Sequence, residues 1–463
     1  MRILSLKIRR FSLCGRVAAI LLILLLQGIS TAAAFPLPAG NIEASLPENS
    51  YVRSLYLDRI LGPIESAAEL SADVLNEPGY EHQVQFFVQE EKDIIYFCFY
   101  HGKDINFARP VTGSIVLQRS RATGRLMKMK IFYKDEADSY ISIEPEGEDS
   151  SVMDILLLGD PMQQDITLPF SLEDAAAKPV AELMRSSAAY VDWSFYLPRE
   201  EFPFPVLSST DDLVQQIRPY LGQLKDVDDG AINAEGRFVF IEDGSPQPDE
   251  GPAGLNCSGF AKWIVDGVLY PVTGRLLPID RLKEPHLDYR GNRWSEKVED
   301  AEDPYFGLDW TRNLAVEALK VHSAADGSNG GPTGGSEPFN PEAADVDYLR
   351  YHEYEEDVGY SVERLKTALY ELARANPNSF YLGSVNELVH GGYELRKHLH
   401  VAVFFAWLDE KGGLQVSVME RTEETSIDEF IDRYRGEFVH LAEVPHTGVF
   451  KPGTMRLDPV IKR

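Results

Sequence analysis

The stretch Gly254-Leu255-Asn256-Cys257-Ser258-Gly259-Phe260-Ala261-Lys262-Trp263-Ile264-Val265-Asp266-Gly267 decides how the second half of this chain folds. A loop rich in chain breakers leads into it, Asp243-Gly244-Ser245-Pro246 through Gly251-Pro252-Ala253. Phe260, Trp263, Ile264 and Gly267 then fall at the i, i+3, i+4, i+7 spacing of a helix face. Asn256 is a good N-cap and Gly267 a plausible stop, so a helix is expected between them. Cys257 lies in its first turn, where unpaired backbone N–H groups and the positive end of the dipole favour thiolate over thiol. A sulfur so placed is a nucleophile, and the same N–H groups can stabilise the oxyanion formed when it attacks a carbonyl. The competing reading is a buried cysteine at a helix start that does no chemistry.

Asn256-Cys257-Ser258-Gly259-Phe260, followed by an aromatic-rich helix, resembles the Asp-Cys-Ser-Gly-Leu signature of NlpC/P60-type cysteine peptidases, a branch of the papain-like fold. Upstream, Arg237-Phe238-Val239-Phe240-Ile241-Glu242-Asp243-Gly244-Ser245-Pro246 is loosely similar to the Tyr-Val-Trp-Gly-Gly segment preceding that cysteine. Asn256 stands where the family usually has an acid, and no aromatic hydroxyl stands where it often has Tyr. What the resemblance implies is a Cys-His nucleophilic mechanism acting on an amide.

A second segment supplies the partner, Arg396-Lys397-His398-Leu399-His400-Val401-Ala402-Val403-Phe404-Phe405-Ala406-Trp407. Alternation from Leu399 onward predicts a buried strand, and Asp409-Glu410-Lys411-Gly412-Gly413 turns the chain back into 414–420 as an antiparallel hairpin. His400-Val401-Ala402-Val403-Phe404 resembles the His-Val-Gly-Ile-Tyr segment whose His is the base in NlpC/P60-like enzymes, which implies that His400 is the base. Counting back through the turn brings 420–423 opposite His400. Glu420, with the strand parity of Val416 and Val418, is the candidate to hold the imidazole, and Thr422 is its competitor. The family more often uses His, Asn or Gln there. The 143-residue interval from Cys257 to His400 exceeds that of compact NlpC/P60 domains but lies within the papain-type range. His398 and His400, read as sharing one strand face, leave two alternatives open: a zinc or copper pair, or a merely structural one. No His-Glu-x-x-His motif is present.

The chain has 463 residues, enough for two or three domains. Residues 1–34 read as an export signal: Arg2, Lys7, Arg9, Arg10 and Arg16 precede or border an apolar run over 17–26, and Ala32-Ala33-Ala34 offers a cleavage site. The apolar run is short for a membrane span, and an uncleaved anchor is the alternative. Formal net charge is −28, and the signal carries only basic charges, so the remainder sits near −33. Charge of that sign repels phosphate backbones and argues against nucleic-acid partners. Beyond Cys14 only Cys98 and Cys257 remain, too few for a disulfide framework. Cys98 reads as a core residue of a strand, pairing with Cys257 being the alternative.

Strands are expected at 83–88, 94–100, 114–118, 126–133, 140–144, 153–158 and 166–170, after one or two short helices over 51–75 broken near Gly62-Pro63. They describe an antiparallel β accessory domain over 35–172. Helices follow at 172–185, 188–195 and 211–224, with a Pro-rich linker at 197–205, and then the strand 238–241. Further helices are predicted at 309–321 and 361–375. The Gly-rich stretch near 323–345 reads as an exposed insertion, either a surface loop or a lid. The acidic-aromatic run 348–360 reads as a solvated face.

The expectation is thus an α+β protein: a signal at 1–34, an antiparallel β domain at 35–172, and a papain-like (NlpC/P60-like) α+β domain at 173–463. The expected activity is that of an exported, periplasmic or extracellular cysteine hydrolase cleaving a peptide bond. Cys257, His400 and Glu420 would be its catalytic residues, and the chemistry requires neither cofactor nor metal. The resemblance implies a peptide substrate, with cell-wall stem peptides as a candidate class, and stable membrane insertion is not expected after signal removal. The alternatives are an inactive exported binding protein of the same fold and a transglutaminase-like acyl transferase.

Overall fold

The computed structural model describes residues 46–102, 109–197, 209–248, 253–286, 303–325, 340–389 and 396–453. The expected signal at 1–34, residues 198–205 of the linker and residues 326–339 of the Gly-rich insertion lie outside the described residues. The protein is mixed α+β and separates into two compact units.

The first unit comprises Met1–Tyr133, Ile141–Asp154 and Asp165–Arg199. It opens with α1 (Tyr51–Leu61) and α2 (Ile64–Ala68), separated at Gly62-Pro63 because proline cannot donate the helical hydrogen bond. An eight-stranded antiparallel sheet begins in it, with every strand beside its neighbour in sequence. The strands are β1 (Asp73–Asn76), β2 (Gln83–Glu91), β3 (Ile94–Gly102), β4 (Ile115–Ser120), β5 (Leu126–Phe132), β6 (Tyr140–Pro145), β7 (Ser151–Leu157) and β8 (Asp160–Leu168). β1 falls where a helix was expected and pairs with β2. Along β7 buried and half-buried residues alternate, the pattern of a sheet with one face in the core. Cys98 on β3 is buried, and that burial pushes its thiol up to about 12, the Tyr100 hydroxyl opposing only in part. Three short helices follow: α3 (Leu172–Ala177), α4 (Val180–Ser187) and α5 (Trp193–Tyr196). The single helix predicted over 172–185 is divided at Lys178-Pro179, again by a proline.

The second unit holds α6 (Ser209–Ile217), a small ribbon of β9 (Ala231–Ile232) and β10 (Phe238–Val239), α7 (Cys257–Thr273), α8 (Ile279–Leu282) and α9 (Phe306–Ala325). Then come β11 (Tyr360–Ser361), α10 (Leu365–Ala375), β12 (Ser379–Leu388), β13 (Arg396–Leu408), β14 (Leu414–Glu420), β15 (Glu423–Thr425), α11 (Ile427–Arg433) and β16 (Phe438–Pro445). Six strands form an antiparallel sheet in the order β11-β16-β12-β13-β14-β15. The hairpin β13–β14 closes through 409–413, where the Asp409 carboxylate accepts from the N–H groups of Lys411 and Gly413, both at 2.9 Å. α7 packs against β13, β9 and α9, and its apolar residues join one core with both sides of that hairpin.

Two expectations are corrected here. The helix of Cys257 does not stop at Gly267; it ends at Gly274, which takes the left-handed conformation at φ 63°. Gly267 is small for a packing reason, since a Cβ there would come within 2.1 Å of the Phe450 ring. The run 348–360 is a solvated face only in part: Glu353, Glu355 and Glu356 are exposed, but its end turns inward. Tyr360 is buried on β11, and its hydroxyl donates to the Val346 carbonyl at 2.8 Å. Asp357 pairs with Arg312 on α9 at 2.8 Å. The buried Arg312 guanidinium requires anionic partners, and Asp345 at 2.5 Å together with Asp357 provides them.

Candidate active site

Cys257 is the first residue of α7, and the Asn256 side chain caps the helix by accepting from Gly259 N–H at 2.8 Å. Gln247 accepts from Gly254 N–H at 2.9 Å and donates to Gly254 and Val239 carbonyls at 3.0 and 3.2 Å. Trp310 on α9 donates from its indole to the Ser258 carbonyl at 2.9 Å. Gly259 is required by close approach: a Cβ there would lie 1.9 Å from the carbonyl oxygen of Gly230. Substituting Gly259→Ala should therefore lower stability by about 2 kcal/mol through overpacking. Chemical denaturation would show it, and slower alkylation of the displaced Cys257 should accompany it.

His400 lies on β13 where that strand carries an irregularity. Asn386 pairs with His398 and Val385 with His400, so Leu399 is an extra residue in the ladder. Adjacent residues of β12 point to opposite faces, so the two histidines do not share one face as their spacing in sequence implies. His398 accepts the Ser384 hydroxyl at Nδ1, 2.8 Å, and donates from Nε2 to the Asp357 carbonyl at 3.1 Å. With both nitrogens engaged and its basicity pushed far down by burial, it is a neutral wall residue. The paired metal-site alternative has no geometric support, and no cluster of metal-ligating side chains occurs among the described residues.

The His400 ring donates from Nε2 to Glu420 Oε2 at 2.6 Å. Thr422 sits in the β14–β15 turn and makes no such contact in the described geometry. With Nε2 occupied by Glu420, Nδ1 is the nitrogen left to serve the Cys257 sulfur, and the two side chains are near enough that each shifts the titration of the other. The structure thus brings Cys257, His400 and Glu420 into one chain of contacts. Their titration is shifted as a unit. Burial pushes the Cys257 thiol up, but the hydrogen bond and charge of His400, the Val401 N–H and the Ser258 hydroxyl leave it below its ordinary value. Burial works against protonated His400, yet Cys257 and Glu420 raise its affinity for the proton. Burial also works against ionised Glu420, and His400 and Arg433 hold the carboxyl below its usual range.

A cleft of about 270 Å³ is lined by the half-buried Cys257. Asp226, Val227 and Asp228 form one wall, Phe306 and Leu399 add apolar surface, and Arg421 reaches in beside Asp226 at 3.6 Å. Arg421 and Thr422 both have left-handed backbones, φ 47° and 69°, in the two-residue turn after Glu420. Neither is the Asn or Gly such a turn favours, so the chain carries local strain beside the site. Two contacts have no signal in the sequence motifs: Arg433 ion-pairs with Glu420 Oε1, and the Tyr434 ring stacks on His400 with centroids 5.6 Å apart.

Taken together, a thiol at a helix start, an imidazole and a carboxylate form the constellation of nucleophilic cysteine chemistry. A protein-family model described as "Domain of unknown function (DUF8515)" matches residues 43–195. That match ends before any of the three site residues. No curated protein and no solved structure matches the chain. No helix among the described residues is long and apolar enough to cross a membrane.

Proposed function

We propose that this protein is an exported cysteine hydrolase of papain-like, NlpC/P60-related architecture that cleaves an amide bond in a peptide. The observation that carries the reading is Cys257 and His400 lining one cleft, electrostatically coupled, with Glu420 hydrogen-bonded to the His400 ring behind them. The Cys257 sulfur attacks the carbonyl carbon, and first-turn N–H groups of α7 stabilise the oxyanion. As the intermediate collapses, His400 hands its proton to the leaving amine and a thioester remains on Cys257. Water then attacks with His400 as base, releasing the acid and restoring the thiolate–imidazolium pair. Glu420 keeps the ring oriented and favours its protonated form. Export rests on the leader-like sequence of residues 1–34, and cell-wall stem peptides are the substrate class that location and the motif likeness favour.

The test is turnover of a panel of peptides, including stem peptides, with mass spectrometry of the intact protein. The expected result is product release together with a transient mass increase on Cys257, both lost in Cys257→Ala. Adding a primary amine separates the hydrolase from an acyl transferase, which would divert the acyl group to the amine. Rapid thiol labelling with no acyl-enzyme on any peptide would make the cleft a binding site.

A further inference from the structure

The helix α11 supplies two groups to the site that neither motif contains. Ser426 caps it through a reciprocal capping box with Glu429, which fixes the helix start close behind the β14–β15 hairpin. At its other end the Arg433 guanidinium meets Glu420 Oε1, while Glu420 Oε2 is occupied by His400. The next residue, Tyr434, lies nearly parallel to the imidazole, 19° between planes, with Phe430 packed against it at 4.8 Å.

We infer that Arg433 and Tyr434 are positioning residues, extending the Cys257–His400–Glu420 contacts into a five-residue device that sets the orientation and proton affinity of His400. The inference rests on the hydrolase reading for its purpose but not for its geometry. A carboxylate gripped at one oxygen by a guanidinium cannot rotate freely, so the other oxygen stays aimed at Nε2. Arg433 is 47% exposed, so it is not part of the core and its removal leaves packing intact. The Tyr434 ring covers one face of the imidazole and limits water on that side. Other charged or titratable groups near the site are Arg421 on the turn, Asp226 and Asp228 on the opposite wall, and neutral His398 on β13. Among the described residues the Glu420 carboxylate is bonded by His400 and Arg433 and not by any of these.

The sign follows from the charges. Without Arg433 the site loses a positive charge, so the Cys257 thiolate is less favoured and its midpoint rises, while the Glu420 carboxylate, no longer shared with the guanidinium, is free to turn away from the His400 ring. The measurement is the rate of iodoacetamide labelling of Cys257 against pH, in the full chain. In Arg433→Gln the midpoint should move up by about one pH unit. Labelling below that midpoint should fall about tenfold, the thermal midpoint staying unchanged. Arg433→Lys should restore most of the shift. Tyr434→Phe should keep the wild-type profile, and Tyr434→Ala should lower turnover with little change in KM. A profile for Arg433→Gln that superimposes on wild type overturns the inference while leaving the hydrolase reading standing. A wild-type midpoint at the value of an ordinary thiol overturns both.

Discussion

Iodoacetamide at neutral pH should label Cys257 at least about a thousand times faster than Cys98. Burial works against the thiolate of both cysteines, and they differ in what opposes it and in access from solvent. Burial in the β sheet pushes Cys98 up to about 12, which leaves roughly one molecule in 10⁵ as thiolate at pH 7. Its side chain is also closed off, with 3% of its surface exposed. Cys257 stands at a helix start beside a protonatable imidazole and opens onto a cleft. Because its affinity for the proton is lowered, labelling should persist as pH falls through the ordinary thiol range and fade only below that range. His400→Ala removes the largest stabilising influence on the thiolate and leaves the burial that opposes it. In that variant the labelling midpoint should rise above the ordinary thiol value. Peptide mapping after timed labelling measures both rates in one sample. Equal, slow modification of the two thiols would remove the basis for nucleophilic chemistry here.

The second large effect concerns stability. Lys262 and Asp266 form an ion pair at 2.5 Å inside α7, with Lys262 wholly buried. Burial lowers the proton affinity of the Lys262 amine and raises that of the Asp266 carboxyl, each opposed by attraction to its partner. Lys262→Met should cost about 3 kcal/mol, because the carboxylate is left in the core with Leu277 N–H, at 2.8 Å, as its remaining polar contact. Protonation of that carboxyl keeps the cost at the lower end of the range for broken buried pairs. The double variant Lys262→Met/Asp266→Asn should recover most of the loss, since the amide still accepts from Leu277 and no charge is stranded. Urea unfolding of the single and double variants tests it. A single-variant loss under about 1 kcal/mol would mean the pair is hydrated and of little consequence.

Much of the architecture was legible in sequence because it is governed by local periodicity. Alternation over 83–88 and 94–100 marked β2 and β3, and the Gly-Gly turn at 412–413 announced the β13–β14 hairpin. The helix of Cys257 was readable from its cap and apolar spacing. Its end was misread, because a glycine that serves a neighbouring ring looks the same in sequence as one that stops a helix. The solvated reading of 348–360 holds for its exposed glutamates and missed the inward turn at Asp357 and Tyr360 for a related reason. Acidic residues favour water until a buried arginine claims them, and Arg312 lies more than thirty residues upstream.

By itself the sequence determined where the thiol and the imidazole stand on their own elements: Cys257 at a helix mouth, His400 near the start of a strand, Glu420 on the returning strand. Those placements depend on caps, periodicity and turn length, which act over a few residues. Only the tertiary structure decided which nitrogen of His400 Glu420 occupies, that an irregularity in the ladder separates His398 from His400, and that Arg433 and Tyr434 complete the site. Such choices depend on contacts between segments far apart in the chain, where the pairing of strands and the packing of one helix set the geometry, and no local pattern encodes them.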